Sequence, residues 1–235
     1  MTSRFSVGHG YALYEGPSLD SAFHRHAAFQ ITVAIGGEAA MVDAAGVRHH
    51  ATALVVPPMV RHRMAATTEL RVFFVEPQCA FADRLRERSS GGISAAPELR
   101  RLGENDVRLA GVRSSGELDP RLLAAMDALA DEPVSMPDLA AQVGLSPQRL
   151  RALARGQLGM PLARWRVWTR LRRAVEALRA GRSPAEAAAV SGFADQAHLT
   201  RWTREMIGLT PAVVLPMLRP SPAERDVDRD RTGGG

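Results

Sequence analysis

Two short polar stretches of the chain hold side chains suited to reading a DNA duplex. Gln148, Arg149, Arg151, Ala152 and Arg155 fall in the first, and Gln196, Ala197, His198, Arg201 and Arg204 in the second. A guanidinium pairs bidentately with guanine and a carboxamide with adenine, each good pair discriminating by about 1–3 kcal/mol, while alanine offers only contact to a thymine methyl. Base readout is expected from Gln148, Arg151 and Ala152, and from Gln196, Ala197, His198 and Arg201. Arg155 and Arg204 suit phosphate contact, which positions a protein without specifying sequence. Any one such arginine is ordinarily solvated surface, so what matters is the elements that present them.

Those elements repeat. Met136–Leu150 and Pro184–Leu199 each read as a short apolar helix, a glycine turn, a capping residue and a polar helix. Gly144 and Gly192 are 48 apart, while Leu150 and Leu199, like Gly159 and Gly208, are 49 apart. The copies are therefore in register but for a slip in the turn, and a fixed-period repeat rarely arises from composition. Each glycine suits the left-handed backbone that follows a helix. Ser146 caps and Pro147 opens the first polar helix, and Asp195 caps the second. In a helix-turn-helix the second helix projects into the major groove.

Between the copies, Pro161 to Ala180 contains no internal breaker and predicts one helix of about 30 Å. Successive major grooves on one face of a duplex lie roughly 34 Å apart, so such a connector suits two recognition helices on one site. Leu162, Trp165, Trp168, Leu171, Val175 and Leu178 form its apolar stripe. The tryptophans read as core. Arg164, Arg166, Arg170, Arg172, Arg173 and Arg179 read both as a solvated face and as charge for DNA.

With both units and their connector in view, the segment from about Leu118 to Leu218 resembles the DNA-binding domain of AraC/XylS transcriptional regulators. The signature end is carried by Gly192-Phe193-Ala194-Asp195-Gln196, Leu199-Thr200-Arg201 and Gly208-Leu209-Thr210-Pro211. The resemblance implies a promoter-binding protein, with RNA polymerase as a partner where it activates, acting as a homodimer. The chain departs from the family where an aromatic residue usually packs each recognition helix, having Ala154 and Thr203 there. Either both units are looser or the neighbouring Trp202 compensates. The family's frequent arginine in the first recognition helix falls at Ala152, so no relative's sequence preference transfers.

All 30 basic residues are arginine, which reflects coding bias more than function and discounts the overall +5 charge. Distribution is more telling. From Met136 to Arg219, 13 arginines face five carboxylates, a net of +8, which leaves −3 for the rest of the chain. Positive charge thus gathers where phosphates need neutralising. The single Cys79 excludes an intramolecular disulfide, fits a reducing compartment and reads as a small, partly buried side chain without redox duty. No stretch approaches 18 apolar residues and no signal pattern opens the chain, so a soluble, cytoplasmic protein with no membrane association is expected. The tail, residues 220–235, reads as disordered.

Residues 1–78 differ. The apolar runs Phe29–Ile35, Leu54–Val56 and Leu70–Val75, broken by Gly36-Gly37, Gly46 and Pro57-Pro58, predict short strands of a small sandwich or barrel. Short helices are expected at Ala80–Arg88, Pro97–Leu102 and Asp106–Val112 within a linker over 79–117. Pro120–Ala130 should open an all-α DNA-binding domain over 118–219. The predicted class is α+β. His49 and His50 are adjacent and read as surface residues.

This region resembles a cupin barrel, which AraC-type regulators commonly carry as a sensor. His24-x-His26, Gln30 and Gly37 match the first cupin motif, with Gln30 where a metal-binding cupin has Glu. Pro57 and His62 match the second, with Ala51 and Met59 at its glycine positions and Ala66 at its asparagine. The resemblance implies that His24, His26, Gln30 and His62 share one face of the barrel. Three imidazoles would suit a divalent transition metal such as Zn, Ni, Fe or Cu. The alternative is a vestigial polar cluster or an organic-effector pocket.

The sequence thus points to a regulator that binds DNA and responds to a small molecule or metal, and not to an enzyme. Two other readings stand beside it: a metal-dependent cupin enzyme fused to a DNA-binding domain, and a constitutive DNA binder using the barrel only to dimerise. Gln30 counts against the enzyme, because the usual oxygenase triad needs a carboxylate beside two histidines.

Overall fold

Antiparallel ladders organise the first half of the chain. The computed structural model describes residues 3–66, 69–89, 91–131 and 134–218. Among them, one six-stranded sheet runs in the order β1 (Arg4–Gly8), β2 (Tyr11–Pro17), β8 (Glu69–Val75), β3 (Phe29–Ala34), β6 (Ala53–Val56), β9 (Ser94–Ala95). A three-stranded sheet runs β5 (Arg48–Ala51), β4 (Ala39–Asp43), β7 (His62–Ala65). The three expected apolar runs become β3, β6 and β8, with β3 central: Ile31 faces Val55 on one side and Phe73 on the other. Being covered on both faces, β3 is buried almost throughout, its apolar Phe29, Ile31 and Val33 alternating with buried Gln30 and Thr32. Among the described residues no ladder closes the two sheets into one barrel.

Residues 79–117 are not a linker. β9 pairs with β6, and α1 (Ala80–Arg88) and α2 (Glu104–Gly111), with a 3-10 turn at Pro97–Arg101 between them, cover the sheet. Phe81, Leu85 and Val107 pack with Tyr11, Leu13 and Phe73 in one apolar cluster. Cys79 is almost fully buried there, its thiol donating to Glu76 O, so it is more enclosed than its sequence context suggests.

The second half is helical: α3 (Pro120–Asp131), α4 (Met136–Gln142), α5 (Pro147–Leu158), α6 (Leu162–Arg179), α7 (Pro184–Val190), α8 (Gln196–Ile207) and α9 (Pro211–Leu218). Local chemistry sets the ends. Ser146 Oγ accepts from Arg149 N, Ser183 forms a capping box with Glu186, and Asp195 accepts from His198 N. Gly144 and Gly192 turn the chain at φ of +66° and +76°. At 18 residues, α6 spans about 27 Å. Leu122, Met126, Leu139, Leu150, Trp165, Leu199 and Met206 share a core. Ala154 and Thr203 are both buried in it without an aromatic ring, Thr203 Oγ1 donating back to Leu199 O, while Trp202 packs against its edge. The 220–235 tail lies outside the described residues.

The two halves are not independent. Ala27 and Ala28, just before β3, belong to the helical core. Glu76, directly after β8 and 3% exposed, accepts from Trp168 Nε1 at 3.2 Å and from Arg172 Nη1 at 2.9 Å, while Arg172 Nη2 donates to Gly8 O. Replacing Glu76 by Ala leaves the Trp168 indole N–H without its acceptor and Arg172 with only Gly8 O and Glu176, and we expect a loss of about 2 kcal/mol in chemical denaturation. A loss under about 1 kcal/mol would mean the junction is held by apolar packing alone.

Candidate DNA interface and effector site

The helix-turn-helix geometry exposes the expected readers. Gln148, Arg149, Arg151, Ala152 and Arg155 on α5, and Gln196, Ala197, Arg201 and Arg204 on α8, are all solvent-exposed. The caps at Ser146 and Asp195 aim the first turn of each helix outward, while Leu150, Leu153 and Leu199 bury the opposite face. His198 differs. Its ring is half-buried, edge-on to Phe193, with Nε2 accepting from Trp202 Nε1 at 2.8 Å. It clasps the start of α8 to its middle, so its polar edge is already engaged.

The arginines of α6 divide. Arg164 pairs with Glu205 and lies over the Trp202 ring, Arg166 donates to Val134 O, and Arg172 holds Glu76. These three join elements of the fold. Arg179 is exposed.

His24, His26, Gln30 and His62 do converge. All four are buried, and the imidazole centroids are 4.4 to 5.8 Å apart. His24 and His26 lie in an extended segment before β3 rather than within a named strand, and His24 forms an isolated antiparallel bridge with His62 at the start of β7. Each Nδ1 donates to a backbone carbonyl: His24 to Ala22 at 2.9 Å, His26 to Ala28 at 2.7 Å and His62 to Val60 at 3.0 Å. A neutral imidazole that donates through Nδ1 has only a lone pair at Nε2. Burial keeps all three rings neutral, pulling His26 down to about 3 and His62 well below its ordinary value, with neighbouring imidazoles adding to the effect. Gln30 Oε1 lies 2.9 Å from His26 Nε2 and 3.2 Å from His62 Nε2, and its amide nitrogen donates to Thr32 Oγ1. Several acceptors thus meet with no donor between them, which a divalent cation satisfies. A carboxamide turned end for end satisfies it too, offering two N–H groups to two imidazoles. By donor chemistry the set fits a transition metal, since carbonyl-anchored imidazoles are the usual outer support of metal-binding histidines.

The cluster sits at the junction of the two halves, with His26 6.4 Å from the Trp168 ring and 5.4 Å from Phe74. Two apolar cavities of about 90 and 100 Å³ adjoin it. Phe5, Phe74, Ile207 and Val214 line both, so sheet, α8 and α9 share their walls, and Trp168, Leu171 and Leu178 of α6 enclose the first. His24 and Gln30 reach into the second. The space for a ligand therefore lies between the halves as well as beside the histidines. Sequence reasoning missed Phe74 and Glu76. The one visible signal was a carboxylate directly after the apolar run Leu70–Val75, where an unpaired charge would be costly.

Residues 139–216 match the family model described as a helix-turn-helix domain. Residues 139–216 are thus an AraC-type helix-turn-helix domain. No curated protein matches the chain. Among solved structures, ToxT from Vibrio cholerae O395 is similar over 90% of this chain and 98% of its own, with a TM-score of 0.57 at 11% identity. Wild-type ToxT from V. cholerae strain SCE256 with a bound unsaturated fatty acid is similar over 92% and 96%, with a TM-score of 0.57 at 13% identity. At such identities the likeness is one of fold, and it spans both halves. A regulator from Chromobacterium violaceum with an AraC-type DNA-binding domain matches 49% of this chain and 96% of its own, with a TM-score of 0.38 at 25% identity. No helix among the described residues is long and apolar enough to cross a membrane.

The AraC-type domain touches the N-terminal half closely at the end of α8. Gly208 closes that helix at φ +76°, and a Cβ there would stand 2.5 Å from His24 Nδ1 and 2.8 Å from Ala22 O. Gly159 closes α5 at φ +69° in open space. Substituting Ala at Gly159 should cost about 1 kcal/mol of stability and at Gly208 about 2 kcal/mol or more by urea titration. Equal costs would show that the contact yields freely.

Proposed function

We propose that this protein is a sequence-specific transcription regulator whose N-terminal unit, read as a cupin-like sensor, holds a small apolar effector against the DNA-binding domain. One observation carries this: both cavities are walled by the sheet on one side and by α8 and α9 on the other, with α6 closing the first. A ligand there touches the recognition unit itself, so it binds differently in conformations that place α8 differently, and only such a difference shifts an equilibrium. The fatty acid named for ToxT supports a ligand of that class. A homodimer at promoter DNA, with RNA polymerase as partner where it activates, completes the proposal.

Selection from random duplexes with the full chain should recover a defined site. Arg151→Ala and Arg201→Ala should each relax one position by about 1–3 kcal/mol. An unsaturated fatty acid should change affinity for the selected site at least fivefold, the lower range of allosteric coupling. An unchanged affinity would favour the constitutive binder, and turnover of a small acid would favour the enzyme.

The histidine cluster supports a second effector. His24, His26 and His62, with Gln30 Oε1, would hold one divalent transition metal, which would join residues 24–30 to β7. Metal content of natively purified protein, after exposure to Zn, Ni and Fe(II), should approach one per chain and fall in His62→Ala. Gln30→Glu, which adds a compensating charge, should tighten it. No metal in any of the three leaves Gln30 as a double donor to neutral imidazoles, with the apolar cavity as the effector site.

A further inference from the structure

His24 and His62 exchange backbone hydrogen bonds, His24 N to His62 O at 2.9 Å and His62 N to His24 O at 3.0 Å. Side chains alternate across such a pairing. The imidazoles turn inward, so Phe23 and Arg25 on one strand, and Arg61 and Arg63 on the other, turn outward. The burial agrees: Phe23 and Arg61 are exposed, and Arg25 and Arg63 are half-buried. Arg61 lies 4.6 Å and Arg63 5.7 Å from the Phe23 ring centroid, one aromatic face serving two guanidiniums. Among the described residues none of Arg25, Arg61 or Arg63 has a carboxylate partner, nor have Arg201 and Arg204 on α8.

This ribbon is fastened beside the second recognition helix. Ala22 N donates to Gly208 O and Arg25 N to Glu205 O, both at 3.1 Å. Between ribbon and helix lies an open cleft of about 880 Å³, with Phe23 on one wall and Gln196, Arg201 and Arg204 on the other. Its single acid, Glu205, is already paired with Arg164. A recognition helix in a major groove about 12 Å wide is flanked by the phosphate strands that border the groove. A basic, aromatic-braced ribbon alongside the base-reading face of α8 is placed to meet one of them.

We propose that the outer face of this ribbon, Phe23 with Arg25, Arg61 and Arg63, is a second DNA-backbone contact that grips one phosphate strand against α8. It rests on the DNA-binding reading above and adds the N-terminal half to the interface. Guanidiniums suit phosphate oxygens by their planar fork, and such contacts are independent of sequence.

The test uses the full chain and a random-sequence duplex of about 30 base pairs, with affinity measured across salt concentrations. Each lost phosphate contact lowers the slope of log affinity against log salt by about 0.9. Arg61→Ala with Arg63→Ala should therefore lower it by about 1.8, so the fall in affinity between about 50 and about 200 mM salt shrinks roughly tenfold. Arg61→Lys with Arg63→Lys should keep most of the slope. Arg84→Ala with Arg108→Ala, the same charge removed from α1 and α2, should leave it close to wild type. Matching thermal unfolding of all variants controls for folding. An unchanged slope in the Arg61/Arg63 alanine variant, or tighter DNA binding by it, overturns the proposal, as does capture of acidic protein or anionic vesicles by the patch with the slope intact. Absence of duplex binding by the wild-type chain is a separate result that defeats the DNA-binding reading itself.

Discussion

A buried carboxylate that draws an indole and a guanidinium from across the domain boundary, beside the local amide of Gln78, governs how this molecule is assembled. Glu76 follows the central strand β8, and its Oε1 receives the indole of Trp168 and the guanidinium of Arg172. Both donors belong to α6, the helix that spaces the two DNA-reading units. A buried charge is tolerable only with its partners in place, so the sheet accepts α6 in one orientation. Arg172 adds a bond to Gly8 O, which ties the turn between β1 and β2 to the same helix. Apolar packing around Ala27, Ala28 and Trp168 supplies area, whereas the polar tie supplies direction.

That tie leaves room beside it. With α6 held by its polar edge, Leu171, Val175 and Leu178 face Phe5, Val7 and Phe74 across a gap, and α8 and α9 close its far side. The gap is walled in part by α8, the element that carries Gln196 and Arg201. The ribbon of residues 22–25 and 61–63 adds a second connection from the N-terminal half to α8. Its inner face carries the imidazoles and its outer face the arginines, while its backbone bonds to the last turn of α8. The imidazoles and the outward arginines are thus separated by the thickness of one chain.

Much of the helical half was legible because its signals are local. Ser146-Pro147, Ser183-Pro184, Asp195 and the paired glycines each act within a turn of their own position. Repetition of the pattern then placed α5 and α8, and the breaker-free stretch between them placed α6. The sheets were harder. β3, β6 and β8 stood out as apolar runs, but β4 is built from Ala39-Ala40-Met41-Val42-Asp43, and alanine has little intrinsic strand preference. β1, at the edge of its sheet, is only partly buried and its apolar content is thin. Residues 79–117 read as a linker because their helices are short, and only the packing of Phe81, Leu85 and Val107 against the sheet makes them part of it.

By itself the sequence determined the tandem helix-turn-helix and the outward placement of the arginines and glutamines on α5 and α8, while the meeting of three histidines with Gln30 was only implied by the cupin resemblance. Those properties follow from caps, turns, periodicity and motif spacing, which are short-range. Tertiary structure alone decided that the histidines sit at the junction with the DNA-binding domain, that His198 is spent on Trp202, and that Arg164, Arg166 and Arg172 hold the fold together. It also decided where the cavity lies. Each of these depends on contacts between residues far apart in the chain. No local rule specifies such contacts, because they arise only when the two halves pack and every buried charge finds its partner.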